Sequence, residues 1–259
     1  MALSALPETT MSGRRRFIVS SRSIRDGYAS YDGPLHHHMA RVLRLRTGDE
    51  VMLVDEQGRQ YQGVIDQVTQ EWTAIRLSDL PEAAKPPAGP TITVLQGLPK
   101  GEKIELVLQK GTELGVTEFS IFRAERSVPK LTGDKLSGRL ERWNRIIEES
   151  VRQSERFDKP LISWHPSAAA AAEGAAEADL KLLLWERGEP TPLRDLLEGI
   201  PRPTRIALAI GPEGGFHPDE AEAFCRWGFT PVTLGERILR TETAALAMTA
   251  IVQYKWGDI

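Results

Sequence analysis

Two glycine-punctuated turns, each placed directly after an apolar run of strand type, constrain this chain more than any other feature. The first run is RIALAI at 205–210, followed by GPEGGF at 211–216. The second is PVTL at 231–234, followed by GERILR at 235–240, after which TETA opens a helical stretch reaching Trp256. Glycine lacks a Cβ, so a strand that ends in a glycine-rich loop lets its backbone approach a ligand closely. In parallel α/β sheets ligands sit beyond the carboxyl ends of the strands, which is where both turns fall. The two turns therefore read as two walls of one small-molecule pocket. Neither contains G-x-G-x-x-G or G-x-x-x-x-G-K-[ST], so dinucleotide-binding and P-loop readings lose their main support.

Strand-type runs at 91–95, 118–122, 180–186, 205–210 and 231–234 alternate with helical stretches, the pattern of a parallel α/β sheet. Helices are expected over 101–115, with Ile104, Leu106, Val107, Leu108 and Leu114 mostly on one face, over 135–154, and over the alanine-rich 168–178. The end of the run 180–186, with Leu184, Trp185 and Glu186, is the expected third wall of the pocket. Residues 14–80 differ in character. Short runs at 16–19, 50–54, 60–65 and 72–77, separated by turn formers at 47–49 and 56–58, suggest a small β-barrel with one helix at 36–45. PEAAKPPAGP at 81–90 is a semi-rigid connector that cannot continue a central strand. The expected division is a tail at 1–13, a barrel at 14–85 and an α/β domain at 86–259.

The net charge of −3 conceals a local concentration of Arg14, Arg15, Arg16, Arg22, Arg25, Arg41, Arg44 and Arg46. That density favours a phosphate-binding face over a merely solvated one. With 41% hydrophobic and 27% charged residues the composition is that of an ordinary soluble globular protein. Cys225 is the only cysteine, which removes intrachain disulfides and any cysteine-based zinc site. His36, His37 and His38 are adjacent, but no carboxylate or cysteine spacing supports a metal there. No apolar run approaches the ~18 residues of a membrane span, and the first residues lack the pattern of a signal peptide. A reducing cytoplasm is the expected location, with neither membrane nor metal as a partner.

GPEGG together with LGERILRTETA at 234–244 resembles the C-terminal signature of the RsmE family, which methylates N3 of a uridine in 16S ribosomal RNA. Other stretches are similar to the same family's patterns. They are His38-x-x-x-Val42-Leu43-Arg44 followed by Gly48-Asp49, KGTELGV at 110–116, Arg126-Ser127, and Gln153-Ser154 with Arg156. The resemblance implies a SPOUT-type methyltransferase domain with a trefoil knot, preceded by a PUA-like barrel that contributes to RNA binding. It implies S-adenosylmethionine bent among three loops, 16S rRNA of the small ribosomal subunit as substrate, and a homodimer whose interface completes each site. The cofactor residues so implied are Leu184, Trp185, Glu186, Ile210, Gly211, Gly214, Gly215, Leu234, Gly235, Ile238, Leu239, Arg240, Thr243 and Ala244. Those implied for RNA are Arg14, Arg16, His38, Arg44, Lys110, Arg126, Gln153 and Arg156. A branched Cβ at Gly235 is expected to intrude where the backbone approaches the ligand.

Methylating uridine N3 requires loss of its proton, helped by a general base or by a cation that stabilises charge spreading onto O2 and O4. Arg240 is the candidate cation; Glu213 and Glu242 are the candidate carboxylates. Each carboxylate also has a structural reading. Glu242 suits the first turn of a helix capped by Thr241, and Glu213 could brace its own turn through backbone N–H groups. Two other functions fit the same sequence: a same-fold methyltransferase of transfer RNA acting at a ribose 2′-OH, or an RNA-binding ribosome-assembly factor without catalysis. The intact glycine and arginine motifs argue against loss of catalysis.

Overall fold

Period-two burial organises the first part of the chain and near-continuous burial the second, so the two parts build different sheets. The computed structural model describes residues 15–55, 59–77, 89–127, 133–154, 156, 158–257 and 259. The expected tail, Arg14, the turn at 56–58 and most of the 81–90 connector lie outside the described residues. The chain divides into two units, residues 1–85 and 86–259.

In the first unit, β1 (Arg15–Ile18), β2 (Ile24–Arg25), β3 (Tyr28–Tyr31), β4 (Glu50–Val54), β5 (Gln60–Val68) and β6 (Thr73–Leu77) form a six-stranded sheet ordered β1-β4-β5-β6-β3-β2. The β1–β4 pairing is parallel and the others are antiparallel. Among the described residues no ladder joins β1 to β2, so the expected barrel does not close into a hydrogen-bonded ring. Val51 and Leu53 of β4 and Tyr61 and Ile65 of β5 point to one core with Phe17, Met39 and Ile75. The strands β2 and β3 were not anticipated, because two- and four-residue runs holding Arg25 and Ser30 carry little periodic signal.

The helix expected over 36–45 starts earlier. It begins as α1 (Gly33–His37), with Pro34 in its first turn, and widens over His38–Val42, where the Leu43 amide donates to His38 O at 2.9 Å. Buried His36 tethers this segment to the sheet region through Thr73 Oγ1 (2.8 Å) and Gln70 O (3.2 Å). It is a satisfied core histidine.

The second unit runs β7 (Thr91–Gly97), α2 (Lys103–Glu113), β8 (Glu118–Phe122), α3 (Asp134–Gln153), β9 (Leu161–His165), α4 (Ala168–Gly174), β10 (Leu180–Leu184), β11 (Thr191–Pro192), α5 (Leu193–Glu198), β12 (Arg205–Ile210), α6 (Pro218–Arg226), β13 (Thr230–Thr233) and α7 (Thr241–Trp256). Its seven strands are parallel, in the order β11-β13-β10-β12-β7-β8-β9. Strands covered on both faces lose period-two alternation. Ile92, Val94, Ile206, Leu208 and Ile210 meet α2, α3, α5 and α7 on one face. Leu95, Ala207 and Ala209 meet α4 and α6 on the other, where small side chains on both sides allow close approach. The unanticipated β9 is an edge strand with Leu161 69% exposed, and β11 has only two residues. Because the strands are parallel, the loops that follow β7, β10, β12 and β13 emerge at one edge of the sheet.

Candidate active site

The loops after β10, β12 and β13 enclose a cavity of about 640 Å³ at that edge. Leu184, Trp185, Glu186 and Arg187 form the first wall, residues 210–216 the second, and residues 238–241 with Ala244 the third. The second wall folds tightly on itself. The Gly215 amide donates to Pro212 O at 2.9 Å, with Gly215 at φ +68°, and a Cβ on Gly211 would lie 3.1 Å from Phe216 N. Buried Phe216 anchors the loop among Phe122 and Phe224, with ring centroids 6.2 and 5.4 Å away. Gly97, at the end of β7, lets Pro212 sit directly on it: a Cβ there would be 2.7 Å from the Pro212 ring.

Glu213 crosses to the loop after β7. Its carboxylate accepts from the Lys100 amide (3.1 Å) and from Lys103 Nζ (2.7 Å). Burial would raise this carboxyl, but the Lys103 hydrogen bond, backbone N–H donors and the Lys103 charge together outweigh it and hold it below its ordinary value. Such a carboxylate is a weak base and a good brace. Arg126 lies along the same loop: its stem covers Gly214, where a Cβ would meet Arg126 Cβ at 3.1 Å, and its Nη1 donates to Gly214 O at 2.7 Å. Arg240 stands exposed on the third wall, and among the described residues its guanidinium has no hydrogen-bond or ion-pair partner.

The start of α7 differs from expectation. Arg240, in extended backbone at φ −65° and ψ 151°, is the N-cap residue, and it makes no side-chain capping bond. Thr241 lies inside the helix, buried, and its hydroxyl donates to Gly211 O at 2.6 Å. Thr241 does not cap because its own backbone is already helical, and its hydroxyl is left to serve a neighbouring loop. Glu242 is half-buried in the first turn, outside the pocket wall, and its Oε2 is buried without a partner among the described residues.

Eleven of the residues proposed for the cofactor line this cavity: Leu184, Trp185, Glu186, Ile210, Gly211, Gly214, Gly215, Ile238, Leu239, Arg240 and Ala244. Thr243 is exposed on α7 away from the cavity wall. Leu234 and Gly235 line a second cavity, of about 530 Å³, between α5, the loop after β13 and the outer side of α7. The reason for glycine at 235 is also different. Its φ is +115° and no atom lies within 4 Å of an added Cβ, so backbone conformation rather than crowding demands it.

The residues proposed for RNA fall in both units and differ in their surroundings. Arg14 lies outside the described residues and Arg16 is half-buried in β1. His38 is exposed with its ring edge-on to Phe17 at 6.3 Å, and Arg44 and Gln153 are exposed. Lys110 pairs with Glu113 at 2.9 Å. Arg156 has its donors committed within the fold: Nη1 meets Thr112 O and Val116 O, each at 2.7 Å, and Nη2 pairs with Asp158 at 2.6 Å. Its side chain is 12% exposed and clamps the end of α2, where unpaired carbonyls need donors. Pro212 and Phe216, within the turn expected as a wall, line the cavity too, and it is joined by Lys103, Arg187 and Thr241, which were not among the expected site residues. Thr241 and Pro212 lie inside the quoted motifs, whereas Lys103 is brought in by tertiary structure alone.

Residues 86–253 match the RNA methyltransferase domain family and residues 32–70 the RNA methyltransferase PUA domain family. The ribosomal RNA small subunit methyltransferase E of Bacillus subtilis is 30% identical over 87% of this chain and 90% of its own length. That of Synechocystis is 34% identical over 88% of this chain and 74% of its own. Among solved structures, a ribosomal RNA small subunit methyltransferase E from Neisseria gonorrhoeae bound to S-adenosyl methionine is 28% identical, with a TM-score of 0.78 over 95% of this chain and 99% of that one. A Legionella pneumophila chain solved with its bound cofactor SAM is 27% identical, with a TM-score of 0.80 over 95% of this chain and 100% of that one. The fold is that of SPOUT-type RNA methyltransferases with a PUA-like unit ahead of the catalytic domain. The chain belongs to the ribosomal RNA small subunit methyltransferase E family.

Proposed function

We propose that this chain binds S-adenosylmethionine between the three loops and transfers its methyl group to N3 of a uridine in 16S rRNA of the small subunit. The observation that carries the reading is one cavity combining a glycine-rich backbone wall, apolar side chains and an uncommitted guanidinium. The residues fit the group. A volume of about 640 Å³ suits a small-molecule site. Leu184, Ile210, Leu239 and Ala244 offer apolar surface, and Gly214 and Gly215 present backbone without Cβ atoms. When bound, the cofactor supplies an electrophilic methyl group on a sulfonium centre.

The chain's own residues then position and stabilise. Arg240 would donate to a uracil carbonyl oxygen as the N3 proton passes to solvent water and negative charge develops on the base. Glu213, tied to Lys100 and Lys103, braces the second wall rather than removing that proton. Holding base and cofactor in line contributes much of the acceleration. Arg126 and the exposed arginines of residues 15–46 supply phosphate contacts. The reading includes a trefoil path and a cytoplasmic site of action.

It also includes a homodimer. Ile251 (38% exposed) and Tyr254 (82% exposed) lie on α7 along the second cavity, with Leu193, Leu197 and Leu234. Apolar groups so gathered mark an interaction surface. Calorimetry with S-adenosylmethionine, and mass mapping of ribosomal and transfer RNA from a deletion strain before and after treatment with the protein and S-adenosylmethionine, test the cofactor and substrate assignments. Binding and a new methyl on a uridine base of 16S rRNA are expected; a methyl on ribose or on transfer RNA would overturn the substrate assignment.

A further inference from the structure

Gln96 is a buried amide in the middle of an apolar sheet, and its position makes it a hub. It is the penultimate residue of β7, opposite Ile210 of β12 and Ile121 of β8, and it is fully buried. Its side chain shares the face of Ile92 and Val94, toward α7. Nε2 donates to Gly97 O (2.9 Å) and to Thr241 Oγ1 (2.9 Å), with Gly211 O at 3.3 Å and Ile210 O at 3.5 Å. Rotating the amide would set its oxygen against three carbonyl oxygens, so this orientation is the one chemistry allows. The Thr241 hydroxyl is committed as a donor to Gly211 O, and its oxygen therefore accepts from Gln96.

One amide thus joins three segments distant in sequence: the end of β7, the second pocket wall and the first residue of α7. Gly211 and Thr241 line the cavity, whereas Gln96 does not. Oε1 is buried and, among the described residues, accepts no hydrogen bond. An unsatisfied buried acceptor costs stability, and an apolar side chain of the same length would avoid that cost. A residue kept only for the core would not look like this.

We propose that Gln96 is a positioning residue for cofactor binding: through Thr241 it sets the backbone of 210–211 and the start of α7 against each other, so that the second and third walls are held before the cofactor arrives. The inference rests on the reading of this cavity as the S-adenosylmethionine site. Gln96→Met keeps length and bulk and removes the donors, Thr241→Val removes the hydroxyl, and Thr241→Ser keeps it. In the full-length chain, Gln96→Met and Thr241→Val are each expected to weaken calorimetric S-adenosylmethionine affinity about tenfold. Because both break one connected chain of bonds, the double variant should be about as weak as either single one, not about a hundredfold weaker. Thr241→Ser should bind within about twofold of wild type.

The distinguishing sign is in stability. The ligand-free thermal midpoint of Gln96→Met should stay within about 4 °C of wild type or rise, while affinity falls. In turnover the loss should appear in KM for S-adenosylmethionine, with kcat at saturation kept within about threefold. Wild-type binding with unchanged affinity in Gln96→Met would overturn this inference alone. Multiplicative losses in the double variant would also overturn it, and should Gln96→Met unfold, Thr241→Val decides, normal affinity there overturning the inference. A wild-type chain that does not bind S-adenosylmethionine at all would remove the site reading, and this inference with it.

Discussion

The loop after β13 separates two cavities of similar size, about 640 and 530 Å³, and contributes to both. Leu234 and Gly235 face the second, while Ile238, Leu239 and Arg240 face the first. The first is walled by bare backbone and by charged groups that are held or aimed: Glu213 is bound by Lys103, Arg126 by Gly214 O, and Arg240 stands uncommitted. The second is walled by Leu193, Leu197 and Leu234, with Ile251 and Tyr254 along it on α7. Volume does not distinguish them; chemistry does. A polar cavity with oriented donors suits a small charged ligand, and an apolar hollow beside exposed aliphatic and aromatic groups suits a protein surface.

The largest expected effect tests the first cavity. Arg240→Ala should lower turnover by about a hundredfold or more with S-adenosylmethionine affinity retained, and Arg240→Lys should fall between, because lysine keeps the charge but not the planar fork. Raising the pH should partly restore both variants as more uridine ionises. Normal turnover in Arg240→Ala at neutral pH would reduce Arg240 to a turn residue and remove the contrast.

Next comes the second cavity. Tyr254→Ala should weaken self-association by about thirtyfold, read by sedimentation across a concentration series. An unchanged sedimentation profile would mean that this hollow is not an interface between copies.

A smaller effect separates bracing from catalysis within the first cavity. Glu213→Gln should weaken S-adenosylmethionine binding several-fold and lower turnover less than about tenfold, whereas loss of a general base costs about a hundredfold or more. The Glu213 carboxyl sits below its ordinary value in the folded chain. Its bracing is therefore complete above the ordinary carboxylate range and is lost only as pH falls through the lowered value. Wild-type affinity should have an acid step there that Glu213→Gln lacks; a step displaced toward neutral pH would contradict the bracing role.

The smallest effect lies on the dividing loop itself. Gly235→Ala meets no neighbour but must hold φ +115°, so it should cost about 1–3 kcal/mol of stability in chemical denaturation while changing S-adenosylmethionine affinity no more than about threefold. A much larger loss of affinity would place Gly235 in contact with the ligand after all.

Legibility followed the physical range of each signal. The strands 205–210 and 231–234, the helix to Trp256 and the glycine turns were readable because apolar runs, periodicity and missing Cβ atoms act within a few residues. Edge strands β9 and β11 carried too little burial to stand out. Arg156 carries the same charge as the arginines proposed for RNA, and only its bonds to carbonyls on α2 and the turn after it set it apart.

What the sequence by itself determined is a parallel α/β domain carrying two glycine-rich turns at strand ends, a family signature across them, and a separate basic strand-rich region before it. Tertiary structure alone decided which side of the loop after β13 faces which cavity, that Lys103 meets Glu213, and that Thr241 binds a neighbouring loop instead of capping its helix. The reason is distance along the chain. Gln96 and Thr241 are 145 residues apart, and a hydrogen bond between such segments leaves no mark on the composition or periodicity of either.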